Sequence, residues 1–219
     1  EYVKSVKFNA DADGTNHRCY VITYSTPAKA QFNDWTQTNT VTFDGRSINT
    51  GVVVKAAIVN KTAEKQPMNA NGNATVMWTV TVTSPSGGIP KDTTATDVMS
   101  VGNGEHYLTK AQAKALYDTL AASEWVNKSS IKFRKPSTGA DVIWQDLDDS
   151  DKVVTVTFAF AQLVPEGQEL TFSYVSTVKM NDSLATGATV EAKNEFSLDN
   201  RSKDDATVSY YKYGVKKYT

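Results

Sequence analysis

The chain has 219 residues, of which 40% are hydrophobic and 10% aromatic, and this composition is typical of a folded globular protein. Its net charge of −1 lacks the basic excess that a nucleic-acid surface requires, so no nucleic-acid partner is expected. No apolar run approaches the ~20 residues needed to cross a bilayer, which predicts no membrane insertion in this fragment. The one cysteine, Cys19, excludes an internal disulfide. We expect a piece of a longer protein, because neither a signal peptide nor an anchor is recognisable.

An internal similarity predicts the domain organisation. Residues 20–47 resemble residues 171–202, and each stretch ends in a strand that carries an asparagine, Asn39 or Asn194. Such a repeat is typical of tandem modules. We therefore predict that residues 1–47 are the terminal strands of a preceding module, residues 51–209 form a complete module, and residues 210–219 are a linker strand to a following one.

The segment from residue 74 to residue 83 is the clearest predicted strand. Val76, Trp78, Val80 and Val82 share one face, and threonines occupy most of the other. This period of two indicates a strand with one buried face. Further strands are predicted at residues 38–44, 51–61, 93–99, 130–133, 141–144, 152–160, 169–179, 190–198 and 206–213. Many short strands separated by turns predict an all-β sandwich.

One helix is predicted, at residues 109–123. Thr109 is a suitable N-cap, and Ala113, Leu116, Tyr117 and Leu120 fall on one face of the following segment. Because this helix is short and isolated among strands, we predict an insertion that packs on the edge of a sheet.

The usual enzyme constellations are missing from the sequence. His17 and His106 lie in polar, loop-like surroundings without a serine or cysteine at a recognisable spacing. No glycine-rich cofactor loop and no metal-ligand spacing is present, so we predict no enzyme, no cofactor and no metal. The acidic residues between 146 and 151 favour a solvated turn over a cation site.

Three polar residues on predicted strands nevertheless have a common chemistry. They are a lysine on the first strand of the module, Asp97 between apolar neighbours, and Asn194 on the penultimate strand. Burial disfavours the ammonium form of a lysine and the ionised form of a carboxyl group. The neutral amine can then attack the asparagine carboxamide, which the protonated acid polarises, and ammonia is released. The product is a Lys–Asn amide crosslink, formed once per molecule.

Several segments make the chain similar to a known family. The segments are Asn60–Ala63, Met77–Val82, Ala95–Met99, Pro165–Tyr174 and Lys193–Phe196. In order and spacing they resemble the isopeptide-bonded, Ig-like modules of Gram-positive surface proteins, both collagen-binding-type adhesins and pilus subunits. The resemblance implies an Ig-like β-sandwich of the adhesin or pilin type, with the one inserted helix near residues 109–123.

The resemblance also implies roles for individual residues. Asp97 matches the acid and Asn194 the acceptor of the crosslink. Lys61 matches the amine, although Ala63 stands where the family has glycine. Lys55 has more apolar neighbours and stays open as the alternative, with Lys65 third.

The implied function is a structural or adhesive module of a cell-wall-anchored protein outside the cell, with the anchor outside this fragment. The implied partners are neighbouring modules of the same chain and a host extracellular-matrix protein or another surface ligand. Two alternatives stay open. One is a carbohydrate-binding sandwich that stacks sugars on Trp35, Trp125 or Trp144, and the other is a hydrolase with two carboxylates in a loop cleft.

Overall fold

The structure, a computed structural model, describes residues 35–43, 46–54, 58–69, 71–199 and 202–213. These residues form twelve strands, one α-helix and two 3₁₀ turns at Lys128–Ser130 and Trp144–Asp146. In chain order the strands and the helix are β1 (Trp35–Phe43), β2 (Arg46–Val54), β3 (Ile58–Lys65), β4 (Asn73–Thr83), β5 (Thr94–Gly102), β6 (Gly104–Tyr107), α1 (Lys110–Ala121), β7 (Lys132–Arg134), β8 (Asp141–Val142), β9 (Thr155–Ala159), β10 (Glu169–Met180), β11 (Thr189–Leu198) and β12 (Ser202–Tyr211).

Two antiparallel sheets pack face to face. One has the strand order β3-β4-β10-β6 and the other has the order β12-β11-β5-β9-β7-β8. Aromatic rings join them, since the ring centre of Phe172 on β10 lies 6.1 Å from that of Phe158 on β9 and 5.9 Å from that of Phe196 on β11. The prediction of an all-β sandwich with one helix is confirmed.

The alternating pattern of β4 puts its large side chains in the core. Val76, Trp78, Val80 and Val82 are all buried, whereas Met77 between them is exposed. β4 pairs with β3 on one side and with β10 on the other, so it is a central strand. Burial of one apolar face along eleven residues is the main reason that this segment becomes a strand.

The predicted helix is confirmed as α1, and its capping explains where it begins. The Thr109 hydroxyl accepts from the Gln112 amide at 3.3 Å, and the Gln112 side chain accepts from the Thr109 amide at 2.9 Å. This capping box satisfies two backbone donors that would otherwise be unpaired. Ala113, Leu116 and Leu120 are buried as predicted. Within the described ranges, none of the helices combines the length and the apolarity that crossing a bilayer demands.

The segment around the predicted module boundary is divided between two sheets. β2 runs through residues 46–54 and pairs with β1, while β3 pairs with β4 of the sandwich. The predicted single strand over residues 51–61 is therefore wrong, because its two ends belong to different sheets. At the other end, Tyr210 and Tyr211 of the predicted linker belong to β12. Residues 1–34, with Cys19 and His17, residues 55–57, with Lys55, and residues 214–219 lie outside the described residues.

Candidate functional site

A buried polar cluster bridges the two sheets, and Lys61 of β3 is its first member. Alternation along β3 turns Val59, Lys61 and Ala63 toward the core. The Lys61 side chain is 0% exposed, and its Nζ lies 5.5 to 5.9 Å from the ring centres of Trp78, Tyr174 and Phe196. The Lys61 amine is therefore surrounded by aromatic rings and not by water.

Asp97 of β5 faces Lys61 from the opposite sheet. It occupies an inward position between the buried Ala95 and Met99, and its side chain is 4% exposed. The Lys61 ammonium donates to Asp97 Oδ2 at 2.8 Å. Asp97 therefore owes its burial to strand alternation and its partner to the packing of the two sheets.

Asn194 of β11 lies beside Asp97 within the six-stranded sheet. The register pairs Phe196 with Asp97 and Asn194 with Met99, so Asn194 and Asp97 are diagonal neighbours on the same face. Asn194 is fully buried. The structure thus brings Lys61, Asp97 and Asn194, which the sequence analysis singled out, into one cluster.

Tyr174 of β10 joins all three residues, and the sequence analysis did not single it out. Its hydroxyl donates to Asp97 Oδ2 at 2.6 Å and accepts from Lys61 Nζ at 3.3 Å. It also accepts from the Nδ2 of Asn194. Alternation along β10 was an available signal, because it places Tyr174 on the same face as the buried Phe172.

Burial dominates the electrostatics of the cluster. It lowers the pKa of Lys61, and the neighbouring carboxylate of Asp97 opposes that shift. Burial, together with the adjacent Asp97, raises the pKa of the Tyr174 hydroxyl well above its ordinary value, so this hydroxyl stays protonated. Two buried oxygens, Asp97 Oδ1 and Asn194 Oδ1, have no hydrogen-bond partner among the described residues. Unpaired buried acceptors are costly, typically about 1–3 kcal/mol each.

A seam between edge strands β3 and β12 closes the cluster on its outer side. The backbone amide of Lys61 donates to the carboxylate of Asp204 at 2.8 Å. Farther along, Lys65 Nζ donates to the carbonyl of Ser209 at 2.9 Å and lies 5.6 Å from the ring centre of Tyr210. Each of the two edge strands thus contributes a side chain that forms a hydrogen bond with a backbone group of the other.

His106 corrects the sequence analysis, which placed it in polar, loop-like surroundings without a serine partner. It lies buried on β6, with Nε2 at 2.8 Å from the Ser176 hydroxyl and Nδ1 at 3.2 Å from the Ser100 carbonyl. The Trp78 indole donates to the same hydroxyl at 2.7 Å. Burial lowers the pKa of His106 to about 4, so the ring is neutral at pH 7. The pair is enclosed in the core, so it offers no surface to a substrate.

The remaining candidate residues lie away from this cluster. Trp125 and Trp144 are half-buried and pack against the core, and Lys114 Nζ covers the Trp144 ring at 5.2 Å. The side chain of Trp35 lies outside what is described, as does Lys55. Of the tryptophans with described side chains, no exposed coplanar pair is available for stacking a sugar.

The acidic segment between residues 146 and 151 folds as a turn. Asp151 accepts from the Asp148 amide at 2.9 Å and pairs with Lys135 at 3.1 Å. In the described part of the chain, no group of three or more histidine, cysteine, aspartate or glutamate residues is placed to hold a metal ion.

Comparisons with known proteins give only distant structural likenesses. No protein-family model matches the chain, and no curated protein is similar to it. AvmM, which catalyses macrocyclization in alchivemycin A biosynthesis, is 10% identical, with 82% of this chain and 98% of AvmM covered and a TM-score of 0.30. BcpA, the major pilin subunit of Bacillus cereus, in its D312A form, is 11% identical, with 81% and 47% covered and a TM-score of 0.31. The collagen binding subdomain of the Enterococcus faecalis surface protein ACE is 11% identical, with 68% and 92% covered and a TM-score of 0.26. Likenesses this weak assign neither a function nor a partner.

Proposed function

We propose that the sandwich formed by β3 to β12 is a structural or adhesive module of a bacterial surface protein, stabilised by an isopeptide bond between Lys61 and Asn194. Asp97 is the acid of this single self-crosslinking reaction, and the protein is not an enzyme that turns over a substrate. The observation that carries the proposal is the buried cluster of amine, acid and carboxamide between the two sheets.

The burial of the cluster supports the protonation states that the reaction needs. Lys61 must attack as the neutral amine, and burial lowers its pKa in that direction. The 2.8 Å hydrogen bond from Nζ to Asp97 Oδ2 lets the proton pass to the carboxyl group, which leaves both groups uncharged in the apolar core. An uncharged pair is the form that a low-dielectric site favours.

The unpaired oxygens support the role of Asp97. After Oδ2 has taken the proton from Nζ, a half-turn about the Cβ–Cγ bond of Asp97 brings the protonated oxygen to the place of the unpaired Oδ1. It can donate there, and Oδ1 of Asn194 is an unpaired acceptor in the same cluster. Donation to that oxygen draws electrons from the carboxamide carbon and prepares it for attack. A bond then forms between Lys61 Nζ and Asn194 Cγ, the bond from Cγ to Nδ2 breaks, and one ammonia leaves.

The surface location and the adhesive role depend on the sequence resemblance. The sandwich of β3 to β12, which covers most of the predicted module of residues 51–209, is proposed as one module of a series, with neighbouring modules of the same chain as its first partners and an extracellular-matrix protein as a candidate ligand. Immobilised matrix proteins, with a glycan array for the carbohydrate-binding alternative, test the ligand. Saturable binding to a matrix protein supports adhesion, and binding to neither leaves a spacer role.

Intact mass tests the crosslink directly. The wild-type chain should weigh about 17 Da less than its sequence, the mass of one ammonia. Peptide mapping should then join a peptide that contains Lys61 to one that contains Asn194. Lys61→Gln should restore the full mass, whereas Lys65→Gln, at an exposed lysine on the same strand, should not. A full-mass wild-type chain would overturn the crosslink, and a joined peptide with Lys55 would reassign the amine.

A further inference from the structure

The hydroxyl of Tyr174 lies between the acid and the nitrogen that the proposed crosslinking reaction must expel. It donates to Asp97 Oδ2 at 2.6 Å and accepts a hydrogen bond from Nδ2 of Asn194. A phenol has one proton to donate and two lone pairs to accept. With Lys61 Nζ at 3.3 Å as the second donor, every hydrogen-bonding position of this buried hydroxyl is used on the reacting groups.

The chemistry of the reaction calls for a group at this place. When the Cγ–Nδ2 bond breaks, Nδ2 needs a proton to leave as ammonia, because an amide anion is a very poor leaving group. The attacking Nζ must lose a proton at the same time. Oδ2 of Asp97 is in contact with Nζ, and the Tyr174 hydroxyl is in contact with both Oδ2 and Nδ2.

We propose that Tyr174 is a second catalytic residue of the crosslink, relaying a proton from Asp97 to the leaving nitrogen of Asn194. This inference rests on the proposed isopeptide bond and adds a residue to it. For this step the carboxyl proton of Asp97 is on Oδ2, and the hydroxyl hydrogen turns from Oδ2 to Nδ2, which gains a lone pair once Nζ has attacked Cγ. The hydroxyl then gives its own proton to Nδ2 while it takes the proton of Oδ2. Asp97 then regains a proton from Nζ, which has formed its bond to Cγ.

The protons balance over one reaction. Nζ loses one proton, Nδ2 gains one, and both Asp97 and Tyr174 return to the states in which they began. The high pKa of the buried Tyr174 requires the two transfers at its oxygen to be concerted, because a free phenolate in this core is strongly disfavoured. The short contact with Asp97 favours such a transfer.

The rate of crosslinking in the full chain tests the relay. The chain is made by cell-free translation with a short pulse, samples are quenched in acid, and intact mass gives the fraction that has lost ammonia at each time. Resistance to a protease, measured on parallel samples, gives the rate of folding. Tyr174→Phe should fold at the wild-type rate but crosslink at least about 100-fold more slowly, the usual size of a general acid–base contribution.

Ser176→Ala is the matched control. Ser176 lies two residues along the same face of β10, is fully buried, and carries a hydroxyl that bonds Trp78 and His106. Its loss removes two buried hydrogen bonds but leaves the relay intact, so crosslinking should stay within a few-fold of wild type. Equal slowing by both variants would mean that any loss of core packing slows the reaction, and the relay would be overturned.

A second substitution covers the case in which Tyr174→Phe does not fold. 4-Fluorophenylalanine, introduced at position 174 by codon suppression, fills the space of the hydroxyl but has no proton to transfer. A relay predicts crosslinking at least about 100-fold slower than in wild type. A rate within a few-fold of wild type overturns the relay.

The two proposals fail in different ways. If the wild-type chain never loses ammonia, the isopeptide bond is wrong and the relay falls with it. If the wild-type chain and the Tyr174→Phe variant lose ammonia at the same rate, the bond stands and only the relay is wrong.

Discussion

Replacing Asp97 by asparagine tests the proposed crosslink and its energetic effect together. The substitution keeps the shape of the side chain and its hydrogen-bonding capacity, but it removes the acid. We expect the variant to have the full mass of its own sequence, about 16 Da above the crosslinked wild type, since ammonia (about 17 Da) is retained and the substitution itself removes about 1 Da. It should also lose the stabilisation that a covalent link between the sheets provides.

The magnitude follows from the length of the closed loop. Lys61 and Asn194 are about 130 residues apart, and the chain-entropy relation for a crosslink gives about 5 kcal/mol for a loop of that size. In a domain of this size each kcal/mol corresponds to roughly 2–4 °C, so Tm should fall by about 10–20 °C. The uncrosslinked variant also buries the free Lys61 amine without the Asp97 carboxylate, which adds to the free-energy change, but the lowered pKa of Lys61 lets the amine become neutral and limits that addition.

Urea unfolding separates the crosslink from the local ion pair. An uncrosslinked chain expands further on unfolding, so the m value should rise together with the loss of stability. Loss of an ion pair alone leaves the m value unchanged. Intact mass on the same samples shows which variants carry the bond.

Asp205→Asn provides the matched control. This carboxylate lies on β12, is 43% exposed, and pairs with Lys193 at 3.2 Å on the surface. The control should keep the mass deficit and change stability by less than about 1 kcal/mol. A mass deficit in the Asp97→Asn variant would refute the role of the acid. A mass change without a change in the m value would refute the loop-closure argument.

Three further predictions concern the rest of the sandwich. Because burial lowers the pKa of His106 to about 4, the unfolded chain binds more protons than the folded one between about pH 6.5 and 4. The free energy of unfolding should therefore fall by up to about 3 kcal/mol as the pH is lowered through that range. Urea titrations should show a weaker pH dependence of this free energy in His106→Gln than in wild type, and parallel curves would contradict the reasoning. Gly104→Ala should cost about 1–3 kcal/mol in thermal unfolding, because the new Cβ meets the Lys179 carbonyl at 2.5 Å, whereas Gly102→Ala meets nothing within 4 Å and should be near neutral. Thr109→Ala removes the cap of α1 and should cost about 1 kcal/mol, seen as faster amide exchange in the first helical turn, and unchanged exchange there would contradict the capping argument.

The fold could be predicted where the local pattern and the tertiary environment agree. In β4 alanine, valine and tryptophan alternate with outward residues that are polar except for Met77, and its inward side chains are the buried ones. α1 begins after a threonine with glutamine three residues later, and that capping box is formed. β6 could not be predicted from a local pattern, because its four residues, Gly-Glu-His-Tyr, show no alternation of apolar and polar side chains. Its pairing with β10 and the burial of His106 depend on distant parts of the chain.

The cluster could be predicted in part. Asp97 is conspicuous as an acid between apolar neighbours on a strand, and this anomaly can be read from the sequence. The contact between Lys61 and Asp97 does not follow from any local pattern, because these residues belong to different sheets and their distance depends on how the sheets are aligned. The sequence analysis chose Lys61 as the amine only through the family resemblance. Tyr174 follows a regular inward pattern and shows no anomaly. Its importance arises from the groups that meet its hydroxyl.

The seam between β3 and β12 has a consequence for mechanical load. Lys61 lies against Asp204 and Lys65 against Ser209, so the two edge strands run side by side in the same direction. The chain therefore enters the sandwich at one end of the seam and leaves β12 at the other, which turns a pull on the module into shear along the strands. If Lys61 and Asn194 are joined as proposed, the tension bypasses the residues between them, and on the order of 450 Å of chain, at about 3.3–3.6 Å per residue, stays folded while the sandwich is stretched.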